Sequence, residues 1–361
     1  MVYPSTLRKL TITRIPSLDG LRALSILMVL VGHAARCSGS GSWWTDTYAH
    51  AGVLVFFVVS GYLITTLMLR EAARTGLVDL QQFYIRRAWR ILPVVYTYLI
   101  IITVVQHSQF SWRDIGLSWG YLASYAACFD HFPWDLSHLW SLSIEEQFYF
   151  VWPLIVASGI CWAKHTAWAA VIAAPLFRYL FAHNGFDKSE VFSLPAVMDS
   201  IATGCLIALY AKPLTRLVTN RRWLGIVWVL GFSSPTLKVI ANHTHFLWPL
   251  PQLFGHCAWT LFNICVGVGI LWAIAAQPKA LNHWFPVWLG TISYSLYIWH
   301  MPFMNPQAKI PFPLNFVASF AAAFASYCLI EQPMLRLRNR LRIKVPAMVR
   351  SLLCLPGQGK Y

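Results

Sequence analysis

The sequence predicts an all-α fold, a polytopic bundle of about ten transmembrane helices, as one domain over residues 1–361 with both termini in the cytoplasm. Three observations predict it. Of the 361 residues, 57% are hydrophobic and only 11% are Asp, Glu, Lys or Arg, where a soluble domain carries about 45–50% and about 25%; water is not the main solvent of this chain. Apolar windows follow one another almost end to end, and no polar stretch between them is long enough to fold separately. The net charge of +15 comes from 28 Lys and Arg against 13 Asp and Glu, and those cations sit between the windows. That placement follows the positive-inside rule, and it makes membrane lipids the partner of the basic surface and argues against nucleic acid.

A helix needs about 17–25 apolar residues to cross a bilayer. Windows near that length lie at 21–37, 50–69, 91–107, 145–162, 166–182, 194–211, 223–240, 253–276, 284–304 and 312–332. The first resembles a secretory signal, with Arg8, Lys9 and Arg14 ahead of the apolar run 23–31. Arg22 and His33 within it, and nine more windows after it, argue that it is retained. With the N-terminus inside, residues 70–90, Lys164, 212–222, Lys279 and 336–344 fall on the cytoplasmic side. The loops left outside, 38–49, 108–144, 183–193, 241–252 and 305–311, are poor in Lys and Arg, which supports ten spans in the cell membrane. Residues 116–128 are apolar but short and flanked by polar stretches, so a re-entrant or interfacial segment is expected there. A short basic tail follows a core of residues 15–340. The eight cysteines stand singly, with no C-x-x-C pair for zinc or thiol exchange. Most behave as small apolar residues of the windows, with a bridge between Cys37 and Cys128 as the alternative. No metal site is expected.

Ionisable groups inside a span are costly, so each calls for a role. Arg22 and His33 lie eleven residues apart in the first window; at about 100° per residue that is about 20° past three turns, so both project from one face about 16 Å apart. They can line one channel, Arg22 toward the cytoplasm and His33 in the outer half. The plainer alternative is a juxtamembrane cation plus a hydrogen-bonded core histidine. Glu145 and Glu146 open the segment EEQFYFVWP at an expected outer helix start, where the helix dipole favours negative charge. A cap explains one carboxylate and leaves the other, with Gln147, Tyr149 and Trp152, to explain. In FYIRRAWRILP, Arg87 and Arg90 stand three apart just before a span; guanidinium forks suit phosphates, and topological anchoring is the alternative.

These segments resemble, in order and over about residues 15–340, the acyltransferase 3 group of membrane acyltransferases. The resemblance rests on Arg22 and His33 in SLDGLRALSILMVLVGH, FFVVSGYLIT at 56, FYIRRAWRILP at 83, HLWSLSIEEQFYFVWP at 138, SYSLYIWHMP at 293 and EQPMLRL at 331. One departure stands out: around Asp199 many relatives carry an arginine two residues earlier, where this chain has Val197.

The resemblance implies transfer of an acyl group, most often acetyl, from cytoplasmic acyl-CoA to a carbohydrate or glycosylated acceptor on the far side of the membrane, with acyl-CoA as substrate and no resident cofactor. His33 is then expected as general base on the acceptor hydroxyl, with a covalent acyl-histidine as the competing chemistry. Glu145 is expected to orient His33 or bind the acceptor, chosen over Glu146 because the first position is the steadier in the family pattern. Arg22 would face the carbonyl end of the donor, and Arg87 and Arg90 the CoA phosphates. Ser60, Gly61, Tyr149 and Glu146 are the expected substrate-side residues, with close helix packing the alternative for Ser60 and Gly61. For His300 a structural role weighs as much as a catalytic one. A transporter or flippase for a lipid-linked sugar is the competing class, since it too needs buried ionisable groups; no inverted repeat is visible.

Overall fold

The structure, a computed structural model, describes residues 15–129, 132–211 and 250–340, with scattered positions between 214 and 236. Among the described residues every regular element is helical. The expected span at 223–240 lies mostly outside the described residues, as do nearly all of the basic loop 212–222, the basic start ahead of residue 15 and the tail after Arg340.

Local sequence sets the helix ends. α1 (Pro16–Cys37) begins on a proline whose fixed φ is already helical and whose missing N–H is not needed there. α2 (Trp43–Thr75) starts in a reciprocal capping box, where the Ser42 N–H donates to Thr45 Oγ1 at 2.9 Å. It stops at Gly76, whose φ of +85° glycine adopts without strain. α3 (Leu80–Val105) is capped by Asp79, which accepts from the Gln82 N–H at 2.9 Å.

That cap corrects one expectation. Arg87 and Arg90 do not precede the span; they ride inside α3, two to three turns from its start. Long arginine stems let a helix carry its cations while their heads reach polar surroundings. The 116–128 region does not cross: it forms two short helices, α4 (Trp112–Trp119) and α5 (Ala123–Phe129), broken at Tyr121 with φ +55°.

α6 (Trp134–Ser137) leads into α7 (Leu139–Ser158), which turns at Gly159 into α8 (Ile160–His183). There follow α9 (Asp187–Phe192), α10 (Leu194–Leu209), α11 (Leu250–Ala276), α12 (Lys279–Asn282) and α13 (Trp284–Trp299). α14 (Leu314–Ser326) continues through a π turn, Tyr327–Glu331, into α15 (Gln332–Arg340). Among the described residues six stretches are long and apolar enough to cross a membrane: α1, α2, α3, α8, α11 and the run Leu314–Arg340. α10 is apolar but shorter, with 16 residues. The outward faces are apolar too, with Val104, Ile172 and Leu329 each at least 70% exposed, a surface that lipid covers better than water does.

The helices that carry the site are held at close range. A Cβ placed on Gly61 of α2 would fall on the Ile201 carbonyl of α10, and one on Gly204 of α10 would fall on the Val58 carbonyl. Small residues let the two backbones meet. Gly61, expected on the substrate side, is therefore a packing residue. Next to this contact, buried Arg178 of α8 forks onto buried Asp199 of α10, with Nη2 to Oδ2 at 3.0 Å and Nη1 to Oδ1 at 3.2 Å. The Thr260 hydroxyl of α11 donates to Asp199 at 2.5 Å, and Arg178 Nε donates to the His256 carbonyl at 2.9 Å.

Candidate active site

Three helices each turn one polar face inward. On α1 the face carries Arg22, Ser25 and His33; on α7, with its cap residue, His138, Ser141 and Glu145; on α13, with its cap residue, Tyr294, Tyr297 and His300. Spacings of three and four residues place such groups one above another.

At one end of this assembly, Arg22, Ser60, Arg87, Arg90, Glu145 and Tyr294 line a cavity. Glu145 is its organising group. Ser60 Oγ donates to Glu145 Oε1 at 2.5 Å, the Tyr149 hydroxyl donates to the same oxygen, and Arg87 Nη2 stands 3.6 Å away. The Arg87 guanidinium carbon also lies 3.7 Å from the Tyr149 ring centre, and that of Arg22 lies 5.0 Å from the Phe56 ring centre. Among the lining residues three guanidiniums meet one carboxylate, which leaves the cavity cationic and suited to an anion. Glu331, held by the Ser295 hydroxyl at 2.7 Å, lies within electrostatic reach of Arg22 and Arg90.

A second cavity adjoins the first; the two share Phe56, Glu145 and Tyr294. Ser25, Phe57, Ser141 and Tyr297 line it further along. The Ser141 and Tyr297 hydroxyls, 2.6 Å apart, close its far side, and the Tyr297 hydroxyl donates to the His138 carbonyl at 3.0 Å. Beyond that wall is a cluster of imidazoles and indoles. The His33 ring centre is 5.2 Å from that of His300 and 5.6 Å from that of Trp134, and His138 is 5.6 Å from His300. The cationic cavity thus adjoins a mainly apolar one, walled by Ile26, Val29, Val53 and Leu142 as well, and the histidines lie behind the Ser141–Tyr297 wall. Among the described residues no group of His, Cys, Asp and Glu is arranged as a metal centre.

The structure brings Arg22, Ser60, Arg87, Arg90, Glu145 and Tyr149 together at one end and sets His33 at the other. Two expectations change. α7 begins at Leu139, so Glu145 is buried almost two turns inside the helix and caps nothing. The cause is the apolar run upstream, where Leu139, Leu142 and Ile144 are buried and carry the helix past the polar pair. Glu145 also spends its hydrogen bonds at the arginine end, away from His33. Glu146 is turned toward Tyr121 as well as Arg87, and one of its oxygens is buried without a partner. Residues missed by sequence reasoning are His138, Ser141, Tyr294, Tyr297 and Trp134. The spacing His138, Ser141, Glu145 and the spacing Tyr294, Tyr297, His300 were the available signals.

Cysteines 37 and 128 are unbridged. Cys37 Sγ lies 3.8 Å from the Asn305 carbonyl oxygen, as a weak donor would.

The family model described as an acyltransferase domain, that of acyltransferase 3, matches residues 15–330. Peptidoglycan O-acetyltransferase OatA of Listeria monocytogenes is 30% identical over 88% of this chain and 55% of its own length. A Bacillus subtilis protein provisionally named a peptidoglycan O-acetyltransferase, YrhL, is 31% identical over 88% of this chain and 54% of its own. A Staphylococcus aureus protein provisionally named an O-acetyltransferase is 27% identical over 88% of this chain and 57% of its own. The chain spans about half the length of the curated relatives it matches. No solved structure matches it significantly. With the match covering nearly the whole helical body, the chain belongs to the acyltransferase 3 family, a family of acyl-transferring enzymes.

Proposed function

We propose that this chain is a membrane O-acyltransferase that carries an acetyl group from cytoplasmic acyl-CoA to a hydroxyl of a carbohydrate acceptor on the other side of the membrane. The observation that supports this reading is a pair of adjoining cavities, cationic at the Arg22, Arg87 and Arg90 end, with the His33 and His300 imidazoles behind the Ser141–Tyr297 wall at the other. The names of its relatives, peptidoglycan O-acetyltransferases among them, favour acetyl as the group and a peptidoglycan-like sugar as the acceptor.

The chemistry follows from the two ends. Guanidiniums bind the phosphates of the donor in fork geometry. The donor arm then lies along the shared cavity wall at Phe56, Glu145 and Tyr294. His33, about 16 Å along α1 from Arg22 by helix rise, takes the proton of the acceptor hydroxyl as that oxygen attacks the thioester carbonyl. Glu145 holds Arg87, Ser60 and Tyr149 in place at the donor end.

Arg90 gives a cleaner test than Arg87, whose loss would also release Glu145. Arg90→Ala is expected to raise the KM for acetyl-CoA about ten- to hundredfold, the value of one charge-assisted phosphate contact, with kcat changed far less. An unchanged KM would make Arg90 a topological anchor.

The sidedness of this scheme rests on ten spans in the cell membrane with both ends in the cytoplasm, which the loop charges favour. In a cysteine-free background, single cysteines at 76–79 should react with an impermeant maleimide only from the cytoplasmic side, and those at 38–42 only from outside. The reverse pattern would overturn the orientation.

A further inference from the structure

A histidine that takes a proton on one ring nitrogen keeps a hydrogen on the other, and that hydrogen needs an acceptor to hold the ring in the right tautomer. Among the described residues no carboxylate bonds to His33. Glu145 is held by Ser60, Tyr149 and Arg87; Asp135 accepts from Asn305 Nδ2 at 3.0 Å through Oδ2, and its Oδ1 is buried without a hydrogen-bond partner. What lies beside His33 is another imidazole.

The state of that imidazole is fixed by its other neighbour. His300 Nδ1 is 2.7 Å from the Tyr297 carbonyl oxygen. A carbonyl can only accept, so Nδ1 carries the hydrogen and Nε2 presents a lone pair. His300 is fully buried, and Nε2 has no hydrogen-bond partner. The 5.2 Å between the His33 and His300 ring centres is also telling. Two imidazoles joined by an N–H to N bond of about 2.9–3.0 Å have centres on the order of 5 Å apart. Catalytic hydrogen bonds are often misaligned before substrate binds and tighten afterwards.

We propose that His300 is the positioning partner of His33: its Nε2 accepts the N–H of His33 and so holds the other His33 nitrogen as the lone pair that meets the acceptor hydroxyl. The proposal rests on the reading of His33 as general base. In the reaction the hydroxyl oxygen bonds to the thioester carbonyl carbon while its proton passes to His33. The C–S bond then breaks, CoA leaves as thiolate, and the thiolate takes the proton from His33. His300 neither gains nor loses a proton; it holds the second N–H of His33 throughout. This does for His33 what a carboxylate does for the histidine of a serine-protease triad, without placing a negative charge in the bundle.

Two substitutions separate this role from a packing role. In His300→Asn the amide reaches the Nδ1 position, so it keeps the bond to the Tyr297 carbonyl but offers nothing at Nε2. In His300→Gln the amide reaches the Nε2 position. The readout is release of CoA thiol from acetyl-CoA by the purified full chain with peptidoglycan fragments, alongside thermal midpoints. H300N is expected to lose on the order of 10²-fold in kcat with KM for acetyl-CoA unchanged, while H300Q stays within several-fold of the parent. In an H33Q background, H300N should cost nothing further, because the two residues act as one unit. Near-parental turnover in H300N, or losses that multiply in the double variant, would overturn the proposal. If H300N fails to fold, a hundredfold loss in a folded H300Q overturns it equally. H33Q at the parental rate removes the reading of His33 and this inference together, whereas an inactive H33Q beside a fully active H300N removes the inference alone.

Discussion

His33→Gln is expected to slow acyl transfer by about 10²–10⁴-fold, the usual contribution of a positioned general base, while the protein inserts and binds donor as before. Glutamine keeps polarity and approximate size but cannot take a proton near neutral pH, so it should fail nearly as badly as alanine. Donor binding should survive because the cationic cavity, where Arg22, Arg87 and Arg90 meet Glu145, lies apart from His33. Titration with acetyl-CoA, set beside single-turnover rates, separates the two. Normal turnover in correctly inserted H33Q would make the histidine structural. Arg22→Lys should fail for a different reason, since an ammonium point charge cannot replace a planar fork.

The second large effect concerns stability. Asp199→Ala leaves the Arg178 guanidinium buried without its carboxylate, in a place where Asp199 supplies two of its hydrogen bonds. Breaking one side of such a buried pair costs about 3–5 kcal/mol. The expected result is a strongly lowered thermal midpoint in detergent, with α8, α10 and α11 losing the cluster that ties them. Replacing both partners, Arg178→Met with Asp199→Leu, should recover most of the loss, because the bundle then holds no stranded charge. A double variant as unstable as Asp199→Ala would show that the pair stabilises through its own attraction.

How much of this was legible in the sequence follows from the range of each signal. The helical class and the membrane reading were legible because an apolar run is a local property, and the windows at 21–37 and 253–276 fall on α1 and α11 with little adjustment. Arg22 and His33 could be placed on one face because both sit on a single helix. Helix starts were harder. α7 begins six residues before Glu145, since buried Leu139, Leu142 and Ile144 extend it, and nothing in the polar pair announces that. Partners across helices were not legible at all. Glu145 could not be assigned to Arg87 rather than His33 without knowing how far each sits along the bundle. Arg178 stood in plain view inside an apolar window, where a lone cation calls for a partner; that the partner is Asp199 is a fact of packing.

In the proposed reaction one bundle binds an acyl donor at its arginine end and delivers the acyl group past His33 to an acceptor on the opposite side. The most direct measurement uses sealed vesicles holding the purified chain with its cytoplasmic face outward, peptidoglycan fragments enclosed, and radiolabelled acetyl-CoA added outside. Ester-linked label is expected on the enclosed fragments, saturable in acetyl-CoA and abolished by H33Q. Label that stays outside the vesicles, or that reaches the fragments equally well with H33Q, would contradict it.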